Sequence, residues 1–263
     1  MLLVAPPPPR VALVPNAIAF RDPRRGLMGT GYQPCGDDPS ARCRPQGTVS
    51  ITGNGGKTWR VLFRTPRPVV FVSYFAGWEW ARFDDGETLQ STDGGRHWRP
   101  AVPPNPFSAF SSCPIGWAGH DNTGSENWSV CTTEGGTGAM GKAVYRLTAT
   151  GWKRVAYTSF APPTGKGYGG ISLMGYPLGI SVADDGFGMI WEDRGPLYVT
   201  RDGGSHWTAP AGLVVIDVDT GLSASALRHG TGFFLVRRGN DGSRALFETT
   251  DAGRSWHVVH VWN

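Results

Sequence analysis

Thr200-Arg-Asp-Gly-Gly-Ser-His-Trp207 is one of four versions of a single phrase. The others are Thr52-Gly-Asn-Gly-Gly-Lys-Thr-Trp59, Ser91-Thr-Asp-Gly-Gly-Arg-His-Trp98 and Thr249-Thr-Asp-Ala-Gly-Arg-Ser-Trp256. Each residue type has a task in a tight hairpin. A Ser or Thr closes one strand, and the Asp or Asn turns its short side chain onto nearby backbone amides. A Gly takes up the positive φ that the turn requires, and the Trp opens the next strand. The phrase predicts a hairpin that clips itself, with Asn54, Asp93, Asp202 and Asp251 as the clips. Trp59, Trp98, Trp207 and Trp256 then fill the gap beside each hairpin, a half-buried position that suits a large aromatic ring with one polar handle.

A longer pattern surrounds each copy, and fixed-period self-similarity is the mark of a stacked-repeat architecture. The last unit reads as four short strands, Leu222 to Leu227, Gly232 to Arg237, Ala245 to Thr250 and Trp256 to Val261. The fourth has the same rhythm over Gly179 to Ala183, Gly188 to Glu192, Leu197 to Thr200 and Trp207 to Ala209. A third, degenerate unit is expected near Ala109 to Cys113, Trp128 to Thr132, Ala143 to Leu147 and Trp152 to Tyr157. Its hairpin Thr148-Ala-Thr-Gly-Trp152 lacks the Asp and is shortened. Tryptophans 59, 98, 152, 207 and 256 are 39, 54, 55 and 49 residues apart, close to the roughly 40 to 50 residues of a four-stranded propeller blade. The expected fold is an all-β propeller of five four-stranded antiparallel blades, with the clipped hairpins between third and fourth strands. Its blades span approximately 17–65, 68–104, 108–158, 170–212 and 221–263 of one domain covering 11–263. A Pro-rich tether occupies 1–10.

The phrase resembles the Asp-box, or BNR repeat, of sialidases, sortilin-type receptors, xyloglucan-cleaving glycosidases and photosystem II assembly factors. In repeat style it is most similar to the assembly-factor-like and sialidase-like proteins, and the likeness runs from Ala17 to Trp262. It implies that the clipped hairpins face away from any ligand and are structural. The superfamily includes enzymes, receptors and scaffolds, so it implies a fold rather than an activity.

Composition narrows the function. The chain has 263 residues with Gly 38, Pro 21 and Trp 11, as expected of an all-β protein with many tight turns, and its net charge is only +4. The basic residues are scattered rather than gathered into a stripe or nucleic-acid module, so no nucleic-acid partner is expected. No segment is long and apolar enough to span a membrane, and no membrane insertion is expected. The N-terminus shows no basic leader followed by an apolar core, so no secretory signal is visible in the chain as given. Cys35 with Cys43, and Cys113 with Cys131, form two pairs that are local in the blade pattern. Read as disulfides, they place the protein in an oxidising compartment, secreted or in the cell envelope. The alternative is four buried thiols in a cytosolic protein. No Cys-x-x-Cys spacing, histidine cluster or Ser-His-Asp set can be assembled, so neither a metal nor a cofactor is expected. Asp217-Val-Asp219-Thr-Gly221 lacks the third acidic residue and closing Glu of a calcium loop.

A ligand site belongs on the opposite face, at the loops after second strands and between blades. Arg82, Asp84, Glu134, Glu192, Arg194 and Arg237 are the binding-face candidates. The leading reading is a monomeric, non-catalytic propeller that binds a protein or glycan there. The alternative is a glycoside hydrolase using Asp84, Glu134 and Glu192, because that chemistry needs two carboxylates roughly 5 to 9.5 Å apart. For a sialidase, the resemblance would require an Arg-Ile-Pro segment, and Arg10-Val-Ala-Leu-Val-Pro15 does not supply it.

Overall fold

The computed structural model describes residues 13–32, 46–75, 77–102, 115–120, 128–136, 138–160, 167–183, 185–211, 213, 220–239 and 242–262. Every sheet among them is antiparallel. The first contains β1 (Val14–Phe20), β2 (Gly26–Tyr32), β3 (Gln46–Thr52) and β4 (Arg60–Thr65) in that order. The second contains β5 (Val69–Phe75), β6 (Trp78–Phe83), β7 (Thr88–Ser91) and β8 (Arg99–Pro100). The third contains β9 (Ile115–His120), β10 (Trp128–Gly136), β11 (Ala139–Thr148) and β12 (Gly151–Thr158). The fourth unit is β13 (Tyr176–Val182), β14 (Gly188–Asp193) and β15 (Tyr198–Thr200). The fifth is β16 (Thr220–Ala226), β17 (Gly232–Arg237), β18 (Arg244–Thr249) and β19 (His257–Trp262). A single register pair, Asp193 with Thr220, joins these last two units.

Alternation along the first strands explains how the units pack. Ala17 and Ala19 of β1 join Val69, Val72 and Phe83 of the second sheet. Ile18 and Phe20 point the other way, into a cluster with Phe233, Leu235 and Leu246 of the fifth unit. Successive strand residues face opposite sides, so a strand buried on both faces reads as continuously apolar. The fourth unit is covered in the same way, by Phe234 and Val236 on one side and by Trp128 and Val144 on the other. The first and last units are also bonded directly. Ser223 Oγ donates to Ile18 O at 2.9 Å, the Phe20 amide donates to Ser225 Oγ at 3.1 Å, and the Phe20 and Phe233 rings stack 3.6 Å apart.

Each of the four phrases clips the connection it occupies. In the fourth unit, Thr200 Oγ1 donates to Asp202 Oδ1 at 2.9 Å and accepts the Gly204 amide at 2.9 Å, while Asp202 Oδ1 takes the His206 amide at 2.9 Å. Asp251 accepts the Thr249 hydroxyl, the Arg254 and Ser255 amides and the Ser255 hydroxyl. Gly204 has φ +83°, and a Cβ there would collide with the Trp128 ring of the neighbouring unit, so glycine is needed for both conformation and space. Trp207 is 1% exposed, and its Nε1 donates to Gly204 O at 3.0 Å. The third unit turns without a clip: Thr148 pairs with Gly151, and the Thr148 hydroxyl donates to Gly151 O at 2.7 Å.

Two expectations need correction. The first strand of the third unit is Ile115–His120, not Ala109 to Cys113, and Ala118 rather than Cys113 stands opposite Cys131. Backbone pairing with β10 sets that register, and the two glycines of Ile-Gly-Trp-Ala-Gly-His hide the strand from a propensity reading. The fourth unit has three strands, with only an isolated bridge between Val199 and Thr208 where a fourth was expected. The Trp207 amide goes instead to Gly169 O, and Pro210 has no amide with which to extend the pairing. The 1–10 tether, Cys35, Cys43 and Cys113 lie outside the described residues, as do 214–219. Among the described residues there is no complete disulfide. Cys131 is buried in β10.

Candidate functional site

The ends of β6, β10, β14 and β17 carry the side chains expected to face a ligand. They fall into three groups, with Glu134 standing apart. Arg82 is exposed on β6, and Asp84 is exposed in the turn that follows it, its amide donating to Pro68 O at 3.2 Å. Beside them Arg67 bridges Asp85 at 2.6 Å and Glu87 at 2.5 Å, and its guanidinium lies 4.3 Å from the centre of the Phe83 ring. Hydrogen bonds from Arg67 to Glu87 and Asp85 raise the guanidinium pKa, but the cluster is largely solvated and holds the turn only weakly.

The second group joins the fourth and fifth units. Arg237, exposed at the end of β17, donates from Nη2 to Thr220 Oγ1 at 3.0 Å, and that hydroxyl donates to Asp193 Oδ1 at 2.8 Å. Arg194, the next residue, is exposed and has φ +55°. A left-handed conformation is uncommon for a non-glycine residue, and here it turns the chain away from β14.

Glu192 and Lys142 form the third group, which local sequence pattern hardly signals. Glu192 was expected on the ligand face, yet its side chain and that of Lys142 are both fully buried, with Glu192 Oε1 2.9 Å from Lys142 Nζ. Lys142 comes from β11 of the third unit, so this ion pair ties that unit to the fourth. Its Nζ also donates to Ser172 O at 2.9 Å and to Met174 O. The carboxylate is less well served. The ion pair is close, but neither oxygen of Glu192 has a well-aligned hydrogen bond, and the backbones of Gly175 and Gly195 press against Oε2. Burial pushes the Glu192 carboxyl up to about 7, with Lys142 pulling it only partly back. Burial likewise pushes the Lys142 ammonium down against the attraction of Glu192. The legible signal for this pair was a lysine in the middle of an apolar strand, which is rare unless the charge is paired.

Glu134 behaves differently. Burial would raise its pKa, but hydrogen bonds from Ser159 and the Phe160 amide, with the Thr133 hydroxyl close by, outweigh burial and hold it below the ordinary value. The Phe160 amide lies 2.7 Å from Glu134 Oε1. Nearby, the Gly138 amide donates to Tyr176 Oη at 2.9 Å and pins the β10–β11 turn to β13. Among the described residues, no hydrogen bond or ion pair links Arg82 or Asp84 to the Glu192 or Arg237 groups. No group of three or more His, Cys, Asp or Glu side chains among them is placed to hold a metal. Among the described residues no helix is long and apolar enough to cross a membrane.

No family model matches the chain, and neither does any curated protein. Among solved structures, YCF48 bound to D1 peptide aligns over 95% of this chain and 82% of that one at 15% identity, with a TM-score of 0.38. YCF48 from Cyanidioschyzon merolae aligns over 95% and 86% at 16% identity, with a TM-score of 0.34. The GH74 xyloglucanase from Xanthomonas campestris aligns over 97% of this chain and 50% of its own at 18% identity, with a TM-score of 0.26. The chain is thus similar to these structures only at low identity. Likeness at this level carries no argument about a ligand.

Proposed function

We propose that this chain is a five-bladed Asp-box propeller, secreted or exposed in the cell envelope, that acts as a monomer and binds a protein or glycan through its loop-bearing end. One observation carries the reading. Arg82, Arg194 and Arg237 are exposed at the ends of equivalent strands in three different units. Arg82 and Arg194 have no intramolecular hydrogen bond or ion pair among the described residues, and Arg237 has only its bond to Thr220. Radial repetition points such strand ends at one mouth, and a guanidinium with free donors suits carboxylate, sulfate or sugar hydroxyl acceptors. We retain Cys113–Cys131 and Cys35–Cys43 as proposed disulfides, which would go with an oxidising compartment.

The glycosidase reading gains no support from the carboxylates named for it. Glu192, whose raised pKa would suit a general acid, is sealed from solvent, and Glu134 is held ionised by its hydrogen bonds. The test compares the wild type with an Arg82→Ala/Arg194→Ala/Arg237→Ala variant on a glycan array and in affinity capture from native envelope extract. Ligands retained by the wild type and by Asp202→Ala should be lost by the triple variant. Retention of the same ligands by the triple variant would sink the assignment of this face.

A further inference from the structure

The opposite end of the molecule, where the clipped hairpins lie, has a cavity of its own. Between the fourth and fifth units a space of about 310 Å³ is lined by Asp185, Phe187, Arg201, His229, Ala252 and Arg254, among others. That volume is at the lower end of the range for small-ligand sites, roughly 300 to 1,000 Å³. Phe187, 3% exposed, forms an apolar floor.

The hydrogen-bond inventory of this cavity is lopsided. Its carboxylates are already engaged. Asp185 accepts the Phe187 and His229 amides, and Asp251 accepts two hydroxyls and two amides of its own hairpin. Its arginines are not. Arg254 donates from Nη1 to Asp251 O at 2.9 Å, and Arg201 has no hydrogen bond or ion pair among the described residues. A guanidinium carries five N–H donors. The two cations come from successive units and face each other across the junction. Burial and then the like charge of Arg254 lower the Arg201 pKa, with the Asp251 carboxylate pulling it only partly back. What the cavity lacks is therefore an acceptor-rich partner, not a cation.

The walls are also preset. Of the three non-glycine residues with positive φ among the described residues, two line this space, His229 at +62° and Ala252 at +57°. Such conformations cost of order 1–3 kcal/mol and persist where their surroundings over-determine them. Here the Ala252 amide bonds Gly230 O at 2.8 Å within the fifth unit, and the His229 amide bonds Asp185 of the fourth, so the rim is set before any ligand arrives.

We infer that this cavity is an oxyanion-binding site, in which Arg201 and Arg254 grip the anion and Phe187 with Ala252 receives the short stem of an acidic side chain. A bidentate guanidinium fork matches the two oxygens of a carboxylate. A peptide carboxylate and a free inorganic oxyanion present the same acceptors, and the experiment separates them. The site is independent of the loop-bearing end, so either assignment can fail alone.

The test is isothermal titration calorimetry at low ionic strength, with sodium phosphate, with the peptide acetyl-Gly-Glu-Glu-Gly-amide and with its Gln-for-Glu counterpart. Binding of the Glu peptide but not the Gln peptide identifies an acidic side chain as the ligand group. Binding of phosphate alone identifies a free oxyanion. Arg201→Ala should weaken whichever binds by about tenfold or more, and Arg201→Ala/Arg254→Ala should abolish it. Arg96→Ala, at the matching position of the second unit's phrase, should bind as the wild type. Arg201 makes no intramolecular bond, so Arg201→Ala should melt with the wild type and its loss of binding cannot be blamed on misfolding. The inference is overturned if neither probe binds, if the Gln peptide binds as well as the Glu peptide, or if Arg201→Ala binds undiminished.

Discussion

Asp202 and Glu192 belong to the same unit, sit at opposite ends of it, and are driven in opposite directions. Around Asp202, burial would raise the pKa, but the His206 amide, the His206 ring and the Thr200 hydroxyl outweigh it and bring the carboxyl to about 2. Glu192 has lost its water and gained one cation in return, and it rises to about 7. The difference lies in the supply of donors, not in the charge. A side chain that stays partly in water and collects amides from its own loop is held in the charged form. One that bridges two sheets in a dry interior is left close to neutrality.

Breaking the dry end should cost most. Glu192→Ala leaves the Lys142 ammonium buried without its counter-charge and should destabilise the protein by about 3–5 kcal/mol in urea unfolding. The double replacement Lys142→Met/Glu192→Leu should recover most of that loss, because an apolar pair of similar volume avoids the desolvation cost. A Glu192→Ala protein as stable as the wild type would show that the pair is not buried. The pH dependence has a definite sign. Glu192 has its pKa raised from 4.5 to about 7, so the folded state holds the extra proton in that interval. Its contribution is full below pH 4.5 and declines as pH rises towards 7. Asp202 works the other way, contributing above its ordinary 3.8 and losing that contribution as pH falls through about 2. Glu192→Gln should therefore flatten the decline between pH 4.5 and 7 and leave the acid limb alone.

Asp202→Ala should come next, at roughly 1–3 kcal/mol, since it strands the His206 amide and the Thr200 hydroxyl. Ligand capture at the far end should survive. An unchanged melting temperature with lost capture would reverse the roles of the two ends. Smallest is Ala252→Gly. The other three phrases place Gly55, Gly94 and Gly203 at this position, all with positive φ, and the fourth copy forces alanine to +57°. Relief of that strain, less the extra chain entropy of glycine, should add up to about 1 kcal/mol. A loss of stability on this change would mean that the Ala252 side chain contributes more by packing than its backbone costs.

The wet end was legible in the sequence and the dry end was not, for the same physical reason. The clip around Asp202 is made of bonds between residues at most four apart, so the spelling of eight residues contains it whole. Four repetitions then fixed the strands on either side. The Glu192–Lys142 pair spans two units, and what buries it is the backbone at Gly175 and Gly195, which no local pattern encodes. Arg201 and Arg254 illustrate the middle case. Both fill variable positions of a phrase whose invariant parts drew the eye, and only the packing of one unit on the next brings them together. The start of β9 was misplaced where the repeat is weakest, because without a clip there is no anchor from which to count.

The direct bonding of the first unit to the fifth has a consequence for how the protein is made. Ser223 meets Ile18 across 205 residues of chain, and the face bearing Ile18, Phe20 and Met28 is covered by strands of the fifth unit, translated long after it. At about 5–20 residues per second, that apolar surface waits roughly 10 to 40 s after emerging before its cover exists. Closure by contacts so distant in sequence is entropically slow as well. Until the fifth unit emerges, the nascent chain is therefore a half-sandwich with one greasy side open. That interval, rather than the folded state, is when aggregation of this surface is most favoured.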